Sequence, residues 1–162
     1  MTARWSGPTF DSGNRSAGRD PVTPERPAYA GGCRCGAVRY EAKGKPIWVA
    51  HCHCGDCRKS TGAAFATYAG FSTDRVAFTG TPHAFASSPG VARTFCATCG
   101  TPLSYESERW AGEVHILVCT LDDPSRLTPR GHVYAAEQLP WVHLGDTLPR
   151  FAKTPKEGSA LT

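Results

Sequence analysis

Short runs in which apolar and polar residues alternate, each closed by glycine or proline, dominate the chain from Ala37 onward. Alternation with period two puts one set of side chains on a buried face and the other in water, the pattern of a half-buried β-strand. It predicts strands over residues 37–41, 47–51, 65–71, 75–79, 91–95, 103–105, 114–119 and 132–135. Only residues 56–61 and 122–127, the latter with Pro124 near its start, have the spacing for a helical turn. The expectation is a mainly β fold, small sandwich-like sheets with short helical turns, whose loops have too little apolar material of their own to hold them.

Residues 1–28 lack this pattern. They carry four prolines, three glycines and four arginines with few large apolar groups, too little to offset the entropy of ordering, and are read as a disordered extension. The folded unit is expected over residues 29–151, with 152–162 as a polar tail. At 162 residues, 40% hydrophobic and 20% charged, the chain fits one soluble domain. No run approaches the roughly 18 to 20 apolar residues of a spanning helix, and the opening MTARWSGPTF lacks the apolar stretch of a secretory signal. A cytoplasmic chain with no membrane partner is the reading.

That compartment changes the meaning of the eight cysteines, Cys33, Cys35, Cys52, Cys54, Cys57, Cys96, Cys99 and Cys119. Reduced thiols in tight clusters hold metal more readily than they form disulfides. In an extended Cys33-x-Cys35 the two sulfurs share a face, and the Cys96-Ala-Thr-Cys99-Gly100 turn brings two more together. Four thiolates close a zinc site and make it structural. Cys52-x-Cys54-x-x-Cys57 supplies only three, leaving a fourth position for water or an incoming sulfur, as in catalytic zinc. Spacing alone leaves other partitions open. Cys54 and Cys57 with Cys96 and Cys99 also make a two-knuckle site, His51 or His53 can close the three-cysteine set, and tetrahedral sulfur accepts iron.

Charge then loses weight as a clue. With 18 Lys and Arg against 14 Asp and Glu the formal charge is +4, but seven thiolates against two divalent zinc ions bring it to about +1. Arg34, Arg39, Arg58, Lys59 and Arg93, all near cysteines in sequence, are placed to offset the thiolates. Cys119, in an apolar run, is expected to be a buried small hydrophobe, and His115, His132 and His143 to be structural histidines in strands. His51, His53, Asp56 and Arg58 are candidates for protonating a product alkoxide.

The runs GGCRCGAVRYE (31–41), HCHCGDCRKSTGAAFATYAGF (51–71) and SSPGVARTFCATCGTPLSY (87–105), with TLDDPSRLTPRGHVY and LPWVHLGDTLPRF after them, carry a resemblance. They resemble the family of glutathione-dependent formaldehyde-activating enzymes and centromere protein V across residues 30–151. The resemblance implies a zinc-pinned β-tent, a structural zinc on Cys33, Cys35, Cys96 and Cys99, and a catalytic zinc on Cys52, Cys54 and Cys57. It further implies a carbon–sulfur lyase that joins a small-molecule thiol, glutathione, to an aldehyde, formaldehyde, giving S-hydroxymethylglutathione. The competing reading is a non-catalytic zinc module binding protein or nucleic acid. It rests on the arginines before residue 28; the near-neutral loaded charge and the lack of a contiguous basic run count against nucleic acid.

Overall fold

The computed structural model describes residues 28–158 together with 160 and 161. The expected disorder of residues 1–28 lies outside this range, apart from Ala28, which begins the first strand. Twelve strands follow in chain order: β1 (Ala28–Gly32), β2 (Val38–Lys43), β3 (Trp48–Cys52), β4 (Ala66–Ser72), β5 (Val76–Gly80), β6 (Pro82–Ser88), β7 (Val91–Cys96), β8 (Pro102–Ser107), β9 (Glu113–Leu117), β10 (His132–Val133), β11 (Arg150–Phe151) and β12 (Ala160–Leu161). One α-helix, α1 (Gly55–Thr61), lies between β3 and β4. The strands make a three-stranded sheet, β1-β2-β5, and a nine-stranded sheet, β12-β11-β10-β3-β4-β9-β8-β7-β6. All pairings are antiparallel except those of β10 with β3 and β11.

The alternation read in the sequence decides how the sheets meet. In β2, Val38, Tyr40 and Ala42 are buried while Glu41 and Lys43 face water. Those three pack with Tyr29 of β1 against Val49, Ala69, Phe71, Val114 and Ile116 from one face of the large sheet. Each large apolar side chain removed from water contributes about 1.5 to 3 kcal/mol, so this interface is the main source of stability. Tyr29 sits 5.8 Å from Phe71 and Tyr40 sits 5.7 Å from Phe78, ring to ring. At Gly31 the sheets come so close that a Cβ would lie 2.4 Å from the Tyr40 hydroxyl and 2.5 Å from the Thr120 carbonyl oxygen.

Residues at the intervening positions face the other way. The register pairs Cys52 with Ala66, Ala50 with Tyr68 and Trp48 with Gly70, then Gly70 with His115, His115 with Tyr105, and Tyr105 with Arg93. Since side chains on one face recur every second residue, these positions form a continuous floor across β3, β4, β9, β8 and β7. A second, smaller apolar cluster of Cys52, Cys57, Ala66, Tyr68 and Leu117 lies on it.

Three expectations are corrected. Cys119 is exposed, not buried, because β9 stops at Leu117 and a 3-10 turn, Val118–Thr120, swings the thiol outward. His143 is exposed in an irregular segment, not in a strand. The predicted turn over 122–127 shrinks to a 3-10 turn at Pro124–Arg126, where the Asp123 side chain accepts from the Ser125 N–H. His115 and His132 are buried in strands as expected.

Candidate metal centres and the adjoining cavity

Cys33 follows β1, Cys35 lies in the turn to β2, Cys96 ends β7, and Cys99 lies in the turn to β8. The fold brings all four sulfurs within 4.8 Å of one another. Cys35 lies 3.5 Å from Cys33 and 3.7 Å from Cys96, sulfur to sulfur. Sulfurs at about 2.3 Å from a common tetrahedral centre stand about 3.8 Å apart, so the donor set fits one metal ion. Backbone and hydroxyl donors already favour thiolates there: the Val38 N–H lies 3.2 Å from Cys33 Sγ, and the Thr101 hydroxyl lies 3.1 Å from Cys99 Sγ. Hydrogen bonding to the Thr101 hydroxyl and N–H brings the Cys99 thiol down to about 5. The site joins the β1–β2 turn to the β7–β8 turn, one from each sheet.

The second cluster is built by the start of α1. Cys52 ends β3, Cys54 is the residue before the helix, and Cys57 lies in its first turn. Their sulfurs again lie within 4.8 Å of one another. Cys54 Sγ accepts from the Cys57 N–H at 3.3 Å, the arrangement that an N-cap side chain makes with a free helix donor. Hydrogen bonding from the Cys52 and Cys57 thiols holds Cys54 far down, at about 2, and the same Cys54 thiolate pushes Cys52 far above the thiol range. Three sulfurs this close share protons instead of ionising together, and a divalent cation relieves that conflict. Each cluster can therefore hold one metal ion.

The clusters are separate, so the two-knuckle pairing of Cys54 and Cys57 with Cys96 and Cys99 does not occur. Among the described residues no histidine or carboxylate belongs to either group. His51 is bonded to the Thr67 hydroxyl at 2.9 Å. His53 is buried behind the cup, its Nε2 3.0 Å from His132 Nδ1, and His132 Nε2 stands 3.1 Å from both Asp146 carboxylate oxygens. Neither histidine closes the three-cysteine set. Arg58 donates to the carbonyls of His53 and Glu137 and so braces the loop, while Arg39 pairs with Asp122.

The cup opens on a cavity of about 1020 Å³ above the floor described above. Cys52, Cys54 and Cys57 line it at one end. Arg93 stands over the floor, donating to the Ser60 hydroxyl at 3.1 Å and the Tyr68 hydroxyl at 3.4 Å, with its guanidinium 4.9 Å from the Tyr105 ring centre. Among the described residues it makes no ion pair with a carboxylate. Sequence reasoning singled out Arg93 as a counter-charge or as a partner for a substrate carboxylate, and it missed Trp48, Tyr105, Glu113, Arg130 and Tyr134, which line the cavity from three strands and two loops. Trp48, Tyr105 and Tyr134 stand in expected strands, where they looked the same as core residues. Phe65 packs on His51 and His53, ring centres 5.0 and 5.2 Å away.

Fold and site together define a two-sheet β protein with two all-sulfur clusters, one joining turns of the two sheets and one at the end of an open cavity. The family model of the glutathione-dependent formaldehyde-activating enzyme matches residues 28–137. A Halomonas elongata protein named "Putative glutathione-dependent formaldehyde-activating enzyme" is 30% identical over 125 residues, spanning 70% of this chain and 79% of that protein. A crystal structure of a Rhodobacter sphaeroides protein is similar in fold, with a TM-score of 0.50 at 22% identity over 62% of this chain and 92% of that one. The chain belongs to the glutathione-dependent formaldehyde-activating enzyme family. No helix among the described residues is long and apolar enough to cross a membrane.

Proposed function

We propose that the protein is a zinc-dependent enzyme of carbon–sulfur lyase type that handles thiol adducts of small aldehydes, such as glutathione with formaldehyde giving S-hydroxymethylglutathione. One observation carries the reading: three sulfurs converge at one end of an open cavity, and among the described residues no fourth donor joins them. Family membership supports it, as does a cavity large enough for a tripeptide thiol.

Formaldehyde is electrophilic already, so the slow partner is the thiol, which with a pKa near 8.5 is mostly protonated at neutral pH. Zinc on Cys52, Cys54 and Cys57 would lower the pKa of a thiol entering the vacant position. The chain's own part is to hold the cup and the substrate. Cys54 is fixed by the Cys57 N–H, and the Cys57 carbonyl is tied by the Thr61 hydroxyl at 2.8 Å. Arg93, anchored on Ser60 and Tyr68, presents an unpaired guanidinium to a substrate carboxylate. Addition forms the carbon–sulfur bond as the carbonyl π pair moves onto oxygen, which then takes a proton from solvent. Cys33, Cys35, Cys96 and Cys99 would hold the second zinc as a closed, structural site.

The test is acceleration of S-hydroxymethylglutathione formation, followed by magnetisation exchange in NMR. Wild-type protein should speed exchange, and Cys54→Ser should abolish the effect while circular dichroism stays unchanged. Full acceleration by Cys54→Ser would end the reading.

A further inference from the structure

Where Trp48 begins β3, at the opposite end of that strand from Cys52, the cavity is lined by a carboxylate that nothing in the proposed chemistry uses. Glu113 Oε2 accepts from Trp48 Nε1 at 2.9 Å and stands 3.3 Å from His115 Nε2. Its Oε1 has no partner among the described residues, and the side chain is 22% exposed, toward the cavity it lines. No lysine or arginine lies within ion-pair distance of it among the described residues: Arg109 is taken by Glu157, and Arg93 stands over Tyr105. His115 does not neutralise it either, since burial pushes that imidazole down to about 4 and leaves it uncharged at neutral pH. Aromatic rings surround the pair. Trp48, Tyr105 and Trp110 have their centres 4.5, 5.3 and 6.3 Å from that of His115. The other carboxylates lining the cavity lie at the cup end: Asp56 is on α1, and Glu137 accepts from the Gly55 N–H at 2.8 Å.

We propose that Glu113, walled by Trp48 and Tyr105, is a recognition site for the ammonium group of the thiol substrate, so that the protein selects thiols carrying an amine at a set distance from sulfur. The inference rests on the reading of the three-cysteine cup as a thiol site. A poorly screened carboxylate with a free oxygen attracts a cation. Spacing supports the match. Trp48 and Cys52 are four residues apart on β3, about 13 Å at about 3.3 Å per residue. The sulfur-to-ammonium span of an extended γ-glutamyl-cysteine unit is roughly 10 Å by standard bond lengths. A metal–sulfur bond of about 2.3 Å at the cup brings the two lengths together. Gly70 makes the arrangement possible, because a Cβ there would lie 2.4 Å from Trp48 Nε1 and force the indole away from Glu113.

The intact chain loaded with cobalt(II) has a visible band that changes when an external thiol binds the metal. Titrating glutathione and its analogue without the amino group, glutaryl-cysteinyl-glycine, gives both dissociation constants. Wild-type protein should prefer glutathione roughly ten- to hundredfold, the worth of one charge-assisted hydrogen bond. Glu113→Gln, which keeps an acceptor for Trp48, should weaken glutathione alone and make the two ligands equal. Equal binding by wild type, or a preference that survives in Glu113→Gln, overturns the proposal, and the wild-type comparison needs no variant to fold. If 2-mercaptoethanol shifts the band while the preference is absent, only the ammonium site falls. If no thiol shifts it, the thiol-binding reading falls as well.

Discussion

Single side chains set the chemistry of the cavity by where they put charge. Cys54 becomes the thiolate of its trio because a helix N–H and two thiols donate to it, and motif spacing alone reveals none of that. His115 shows the cost of burying an imidazole. Its folded pKa, about 4, lies below the unfolded value near 6.5, so between these limits the unfolded chain binds more protons and stability falls as the pH drops. Denaturation at pH 7 and pH 5 should show a loss with acid that His115→Phe reduces by roughly 1 to 2 kcal/mol. An identical loss in the variant would mean that His115 does not titrate as described. At this scale the sequence was informative about sulfur and poor about the rest. Clustering marked seven cysteines as metal ligands and the family resemblance supplied their partition, but Glu113 and Trp48 meet only because β9 and β3 flank β4, a pairing between residues 65 apart.

Among the elements, the strands with buried alternation were legible: β2, β3, β4, β5, β7 and β8 lie within a residue or two of where the pattern put them. Those missed have physical reasons. β6 is an edge strand exposed over most of its length, so it has no apolar face to betray it. β1 ends in two glycines that read as a break, yet Gly31 is where the chain must pass beneath Tyr40 and Thr120. Gly31→Ala should therefore lower the stability of the whole domain by about 1 to 3 kcal/mol, the usual effect of overpacking, read as a drop in melting temperature. A neutral result would show that the sheets can separate there without loss. The two-residue strands β11 and β12 are too short for any periodicity to report, whereas β10 falls within the strand expected over 132–135.

Viewed whole, the molecule divides labour between its clusters. The four-sulfur site ties turns from the two sheets, so its metal would contribute directly to folding; the three-sulfur cup is confined to the end of β3 and the start of α1. Elemental analysis should find two zinc ions per chain. Cys96→Ser should depress soluble yield and melting temperature far more than Cys52→Ser, and equal damage would refute the division. The final stretch of the described chain adds a practical consequence. Thr154, Pro155 and Lys156 wall the cavity, pinned by the Tyr134 N–H to the Lys153 carbonyl at 2.9 Å and by Glu157 to Arg109. A purification handle joined behind this segment therefore extends the stretch of chain that walls the cavity. Cleaved and uncleaved preparations should be compared before any ligand selectivity is assigned.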